Sequence, residues 1–115
     1  MDAEMLRNHC ISKQNVTEEF PFDDDALVFK VCGKMFCLIS LGKPDSCLLK
    51  CDPEKAVELR EEYEQIKPGY HMNKTHWNSV YFDGLSDDFT KELVDMSYNS
   101  VVKGLPKKIR ELFKS

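Results

Sequence analysis

The sequence predicts a single α+β domain in which helices pack on an antiparallel sheet. Three short β-rich runs, "ALVFKV", "MFCLISL" and "CLLKC", are separated only by the turns "CGK" and "GKPDS", a pattern that predicts an antiparallel meander. Helical patterns lie before and after this meander and do not alternate strictly with the strands. We therefore expect the order α-βββ-α-β-αα over residues 1–115.

Capping residues mark the first two predicted helices. Residues 2–13 predict a helix with Asp2 as its N-cap, since a carboxylate can accept from the free N–H groups of the first turn. Asp52 and Pro53 predict the start of a second helix, over residues 53–66, with Asp52 as the cap and proline at the first helical position. Its predicted core stripe consists of Ala56, Leu59, Tyr63 and Ile66.

The chain after Gly69 predicts one more strand and two helices. Residues 76–82 have strand character, and Ser86 is a suitable cap for a helix that Gly104 ends. Pro106 begins a short terminal helix. The segment "NVTEEFPFDDD" before the meander is expected to be irregular. The predicted buried residues of the two helices are Phe89, Leu93, Met96, Val101, Ile109, Leu112 and Phe113.

The charge of the chain is unevenly distributed. A net charge of −4 and a pI of about 5.4 exclude a strongly basic DNA-coating protein. Residues 1–66 hold 8 basic and 14 acidic side chains, whereas residues 65–82 hold no acid and residues 103–115 hold five bases and one acid. We therefore expect any surface for an anionic partner to be localised.

Composition also predicts the compartment of the protein. The N-terminus lacks the order of a signal peptide, and no apolar run approaches the ~20 residues of a membrane span. Five cysteines without a C-x-x-C pair predict reduced, buried thiols rather than a disulfide framework or a zinc site. We expect a cytoplasmic protein without a cofactor, monomeric or weakly dimeric.

Catalysis and metal binding find little support in the motifs. His71 and His76 are candidate acid–base groups and Asp83 could orient one of them, but no nucleophile elbow, phosphate loop or H-E-x-x-H motif occurs. The two histidines are five residues apart, which fits neither one helix face nor one strand face. The acidic group Glu18, Glu19 and Asp23–Asp25 lacks the spacing of an EF-hand. We predict no enzyme and no metal site.

Strand parity predicts an aromatic face with cations. Side chains alternate along a strand, so Trp77 and Tyr81 point the same way, and the same parity places Lys30 and Lys50 with them. Such a face can stack bases and contact phosphates. Two alternatives stay open: helices or a second subunit cover this face, or Trp77 and Tyr81 line a pocket for a small aromatic ligand.

Four segments in order resemble the MmcQ/YjbR family: "FPFDDDALVFKVCGKMFCLI", "LKCDPEKAVELREEY", "HMNKTHWNSV" and "SYNSVVKGLPKK". The resemblance implies a bacterial protein with the fold of the frataxin homologue CyaY, an α+β sandwich. It also implies DNA binding through a double-wing arrangement of loops and strands. The family's N-K-x-H-W-N and L-P-K-K segments then place the binding residues at Asn73, Lys74, His76, Trp77, Asn78, Lys107 and Lys108.

These observations favour a non-enzymatic protein that binds nucleic acid weakly over a restricted footprint. A small-molecule-binding module using Trp77 and Tyr81 is the second hypothesis. Metal binding of the frataxin kind is the third, and it depends on analogy of fold alone.

Overall fold

Within residues 1–69 and 72–113, which the computed structural model describes, six strands form one antiparallel sheet. Their order across the sheet is β1-β2-β3-β4-β6-β5. The α+β class and the meander of β2, β3 and β4 are confirmed. The strands are β1 Val16–Glu19, β2 Ala26–Val31, β3 Lys34–Ser40, β4 Ser46–Lys50, β5 Ile66–Pro68 and β6 Trp77–Tyr81.

The helices pack on one face of the sheet. They are α1 Ala3–Ile11, α2 Pro53–Glu62, α3 Asp87–Lys103 and α4 Lys107–Arg110, and a 3₁₀ turn follows at Glu111–Phe113. Alternate strand residues such as Phe29, Cys37, Leu49 and Val80 face the helices and share one core with Leu6, Leu59 and Leu93. The strand residues between them lie on the opposite face.

Two strands were not predicted from the sequence. Val16–Glu19 pairs with β2 although its residues are mostly polar, because an edge strand needs only backbone hydrogen bonds along one side. Ile66–Pro68 pairs with β6 at the other edge of the sheet, where proline is tolerated. The expected order α-βββ-α-β-αα is therefore corrected to α-ββββ-α-ββ-αα.

The caps follow the prediction at two of three positions. Asp2 accepts from Met5 N at 2.8 Å and Ser86 Oγ accepts from Phe89 N at 3.0 Å. Asp52 occupies the N-cap position of α2, but its side chain makes no capping hydrogen bond with the described residues. Pro53 begins this helix as predicted, and proline's fixed φ favours helical geometry there without help from the carboxylate.

Three details of the predicted helical packing are wrong. Helix α2 ends at Glu62 because Tyr63 is already extended, with ψ at 122°, which leads the chain into β5. Met96 is 36% exposed, since only one stripe of α3 faces the core, and Leu112 is 66% exposed because the 3₁₀ turn rotates it away from the sheet.

Four of the five cysteines are buried, and all five are free thiols. Cys32 is the exception to the predicted burial: it lies in the β2–β3 turn with φ at 49°. Burial raises the pKa of the Cys37 thiol well above its usual value, and hydrogen bonds with Cys10 and Cys47 raise it further. These interior thiols are therefore protonated and poorly nucleophilic at neutral pH.

The helices of residues 1–69 and 72–113 were also tested against the dimensions of a bilayer. None of them is long and apolar enough to cross a membrane.

Candidate functional site

The aromatic face predicted from strand parity is confirmed by the register of β4 and β6. Lys50 lies opposite Trp77 and Ser46 lies opposite Tyr81, on the side of the sheet away from the helical core. Lys30 of β2 shares this side. Trp77 is nevertheless only 8% exposed, so the surface is not an open aromatic platform.

The two aromatics of this face do not share a pocket. Trp77 begins β6 and Tyr81 ends it, which separates the residues by roughly 13 Å at the usual rise of a strand. The same geometry separates His76 from Asp83 by roughly 20 Å. The predicted pairing of Trp77 with Tyr81 in one pocket is therefore wrong, and Asp83 cannot orient His76. The other candidate acid–base residue, His71, lies outside the described residues.

A compact turn positions Trp77, and Asn73 builds it. The carbonyl of Asn73 accepts from the backbone N–H groups of His76 at 3.1 Å and Trp77 at 3.0 Å. The side-chain oxygen of Asn73 accepts from Thr75 N at 2.9 Å, the local bonding that makes asparagine a turn former. Cys51 N donates to the carbonyl of His76 at 2.8 Å, which fixes the turn beside the end of β4.

Arg60 of α2 fastens this turn to the helical layer. Its Nε donates to Asn78 Oδ1 at 2.6 Å, and its Nη2 donates to the carbonyls of Lys74 and Trp77. Asn78 is 2% exposed and also donates to Ala56 O at 3.3 Å. Asn78 therefore lies on the helical side of the sheet, where it supports the turn and cannot contact a ligand on the opposite face.

A cleft of about 460 Å³ lies beside Trp77, and we call it the Trp77 cleft. Met72 and Trp77 line it from the turn, while Leu105 and Pro106 line it from the segment after α3. The two segments that carry the family resemblance thus meet in space although they are some thirty residues apart in the chain. Two further lining residues are cations: Lys34 and Lys50.

The β2–β3 hairpin brings Lys34 to the cleft. Cys32 and Gly33 both have positive φ, 49° and 80°, the backbone that a tight two-residue hairpin requires. Lys34 follows directly as the first residue of β3 and is exposed. The cation therefore stands at the mouth of the cleft on a short, constrained connection.

The predicted lysines lie around the same cleft. Lys107 and Lys108 are exposed in the first turn of α4, directly after Pro106, and Lys74 is exposed on the turn before Trp77. His76 is half-buried next to Trp77. The structure thus gathers these four residues and Trp77 in one region.

Sequence reasoning missed Arg60, Met72 and Lys34 as parts of the site. Arg60 stands in "ELREEYE", where its sequence neighbours indicate a solvated helix face. Only the tertiary contact of α2 with β6 reveals its role. Lys34 had no sequence signal beyond its place after a turn.

Charges of opposite sign collect at the two ends of the strands. The loops 20–25, 41–45 and 82–88, which we call the acidic end, contain Lys43 as their one base. The Trp77 cleft lies at the other end, the basic end. None of its lining residues among those described is acidic. The acids of the acidic end are Asp23, Asp24, Asp25, Asp45, Asp83, Asp87 and Asp88.

Metal ligands are not assembled in the described part of the chain. Residues 1–69 and 72–113 contain no group of three or more histidine, cysteine, aspartate or glutamate side chains placed to hold an ion. The acidic residues near Asp23 instead form turns: Asp23 Oδ1 accepts from Asp25 N at 2.9 Å and Ala26 N at 2.8 Å.

Comparison with known proteins identifies relatives along the whole domain. The YjbR family model matches residues 11–100. The uncharacterized protein YjbR of Escherichia coli K12 is 33% identical over 114 residues, covering 97% of each chain. The uncharacterized protein YbdF of Escherichia coli O157:H7 is 44% identical over 91 residues, which is 77% of this chain and 75% of that one.

Solved structures show the same fold. The Deinococcus radiodurans protein DR2400 superposes with a TM-score of 0.85 at 40% identity, covering 94% of this chain and 84% of that one. A Pseudomonas syringae protein superposes with a TM-score of 0.74 at 23% identity, covering 87% of this chain and 98% of that one, and shows the fold alone. On the family match and these relatives, the chain belongs to the YjbR family.

Proposed function

We propose that this protein binds nucleic acid, weakly and without catalysis, at the Trp77 cleft. One observation carries the proposal: two acid-free stretches of the chain, residues 65–82 and 96–110, meet at a concave site that also holds Lys34 and Lys50. A phosphate backbone is attracted wherever cations are close together without neighbouring acids.

The shape of the site favours a single strand over a duplex. The Trp77 cleft is a depression of about 460 Å³, which can receive an unpaired base, whereas a duplex keeps its bases stacked inside. Only the edge of the Trp77 indole reaches the cleft, because the ring is 8% exposed. We therefore expect stacking at Trp77 to contribute less than the ~1–3 kcal/mol typical of an open aromatic platform.

The number of nearby cations sets the expected salt dependence. Each phosphate contact on a single strand contributes about −0.7 to the slope of log affinity against log salt. Lys34 and Lys50 inside the cleft, with Lys107 or Lys108 beside it, make a slope of roughly −2. Such a shallow slope belongs to weak, restricted binding and not to a repressor with many contacts.

Trp77 is the single tryptophan of the chain, so its fluorescence reports on this cleft alone. We would titrate the protein with a short single strand and with a duplex at several salt concentrations. The proposal predicts quenching by the single strand, with a shallow slope that Lys34→Gln or Lys50→Gln reduces by about 0.7. Lys43→Gln, at the acidic end, is the matched control and should leave the slope unchanged. Unaltered fluorescence and no binding of either nucleic acid would reject the proposal.

A small anionic aromatic ligand is the second candidate. The volume of the Trp77 cleft lies within the ~300–1,000 Å³ range of small-molecule sites, and both an aromatic edge and two lysines line it. A nucleoside monophosphate tests this candidate in the same titration. Saturable quenching by the monophosphate, with no binding of oligonucleotides, would select the small ligand.

The finer implications of the sequence resemblance stay predictions. A CyaY-like arrangement, a double wing, frataxin-like metal binding and a cytoplasmic location belong to this group, as does a monomer or weak dimer. Direct measurements address the last two hypotheses: elemental analysis of the purified protein, and sedimentation at several protein concentrations.

A further inference from the structure

A second, smaller cleft adjoins the Trp77 cleft. It has a volume of about 240 Å³ and lies between the start of α2 and the C-terminal half of α3. Lys55 and Lys103 line it from the two helices, and Asn99 and Ser100 supply polar groups that can bond a phosphate or a sugar. Asp52 is the one acid among its lining residues.

The two clefts are continuous in the structure. Ser100 lines both of them. Lys50 lines the Trp77 cleft and the next residue, Cys51, lines the smaller one. The turn before Trp77 is bonded to this junction, since Cys51 N donates to His76 O at 2.8 Å. Together the clefts form one groove around the C-terminal end of α3.

Cations follow the whole length of this groove. Lys34 and Lys50 line its larger half, and Lys55 and Lys103 line its smaller half. Lys55 lies 3.9 Å from Glu58, a distant contact on an exposed helix surface that leaves the ammonium accessible to another anion. Lys103 is exposed at the last turn of α3.

We propose that the groove is the path of one nucleic-acid strand. The Trp77 cleft takes a single nucleotide, and the smaller cleft takes the phosphate and sugar of the nucleotides that follow it. This inference rests on the proposed function and adds Lys55, Lys103, Asn99 and Ser100 to the site. It replaces a single binding point by a track with a direction, from Trp77 toward the start of α2.

An ordinary solvated role for Lys55 and Lys103 makes a different prediction, and strand length separates the two. We would titrate Trp77 fluorescence with a nucleoside monophosphate and with single strands of two, three and four nucleotides. On a track, affinity rises with each added nucleotide until both clefts are filled, by about tenfold or more in total. For a single cleft, affinity stays level after the first nucleotide.

The double variant Lys55→Gln/Lys103→Gln gives the decisive arm. We expect it to bind the monophosphate as the native chain does, but to lose the gain with length and about 1.4 of the salt slope, 0.7 for each phosphate contact. The control Lys43→Gln/Lys91→Gln removes the same charge nearer the acidic end and should change neither quantity. Because all four lysines have exposed or half-exposed side chains, each protein should fold.

The possible outcomes separate this inference from the proposed function. Quenching by the monophosphate without any gain from longer strands would overturn the track and keep the Trp77 cleft. An equal loss in the two double variants would also overturn the track, because net charge alone would then explain the effect. No binding of any nucleotide would reject the proposed function together with the track.

Discussion

The acidic and basic ends of the sheet differ in what their charged side chains contact. At the acidic end the carboxylates bond the protein itself. Asp25 accepts from Gly42 N at 2.6 Å and from the Ser40 hydroxyl, and Asp87 pairs with the N-terminal amine of Met1. Backbone N–H groups of Ala26 and Asp25 hold the pKa of Asp23 below its usual value.

The lysines of the basic end have no such partners. Among residues 1–69 and 72–113, no ion pair links Lys34, Lys50, Lys103, Lys107 or Lys108 to an acid. Acidic charge is therefore used to build turns and termini, whereas basic charge at the opposite end stays available for an outside anion. The net charge of −4 conceals this division, which is why total charge is a poor guide to the partner of this chain.

The largest effect is expected from Arg60, because it fastens the turn at the basic end. Arg60→Leu removes the donors to Asn78 Oδ1 and to the carbonyls of Lys74 and Trp77. Leaving a buried acceptor without a partner, in addition to losing charged hydrogen bonds, should lower the free energy of unfolding by about 3 kcal/mol. Urea denaturation at neutral pH measures this loss.

A matched arginine provides the control for that experiment. Arg7 forms two hydrogen bonds with Glu18 at 2.7 Å and 2.8 Å on the exposed surface. Arg7→Leu should cost far less, since exposed ion pairs are screened by solvent. Equal losses for the two variants would show that the turn does not depend on Arg60.

A smaller effect is expected at the acidic end. Asp25→Ala removes the acceptor for Gly42 N and the Ser40 hydroxyl, which should lower the free energy of unfolding by about 1–2 kcal/mol. Nucleic-acid binding measured by Trp77 fluorescence should not weaken, because the Trp77 cleft lies at the other end of the strands. A weakened salt-dependent interaction in this variant would break the division between the two ends.

The smallest effect is expected from an acid away from both ends. Burial raises the pKa of Asp95, but hydrogen bonds with Lys13 and His9 outweigh it and hold the pKa below its usual value. The carboxylate therefore stabilises the fold above about pH 4, and this contribution is lost as the pH falls through the lowered pKa. With 42% of the Asp95 side chain exposed, Asp95→Asn should cost no more than about 1 kcal/mol at pH 7.

The measurement for Asp95 is the free energy of unfolding against pH. The difference between the native chain and Asp95→Asn should shrink toward zero in strong acid, where the carboxyl is protonated in both the folded and the unfolded state. A difference that stays constant from pH 7 into that range would show that the ion pairs contribute nothing.

Local pattern predicted the parts of this protein that depend on neighbouring residues. Alternation along a strand was enough to place Trp77 and Lys50 on one face, and the Ser86 cap could be found from its residue type and position. The edge strand Val16–Glu19 was missed because its pairing with β2 is made by the backbone and leaves no apolar pattern.

The candidate site was harder to predict because distant segments build it. The Trp77 cleft joins a hairpin, a turn and the segment after α3, and no spacing in the sequence links Lys34 to Pro106. Asn78 illustrates the converse error: the motif suggested a binding residue, but parity already placed it opposite to Trp77, where it is bonded to Arg60. Parity was the more reliable of the two signals.

The central claim is that the basic end, and not the rest of the surface, receives the nucleic acid. Backbone amide chemical shifts of the ¹⁵N-labelled protein, recorded as a short single strand is added, test it most directly. The account predicts salt-sensitive shifts at Lys34, Lys50, Trp77, Ser100 and Leu105, with no change over residues 41–45. Shifts centred on residues 20–25 or 41–45, or no shifts at any concentration, would contradict it.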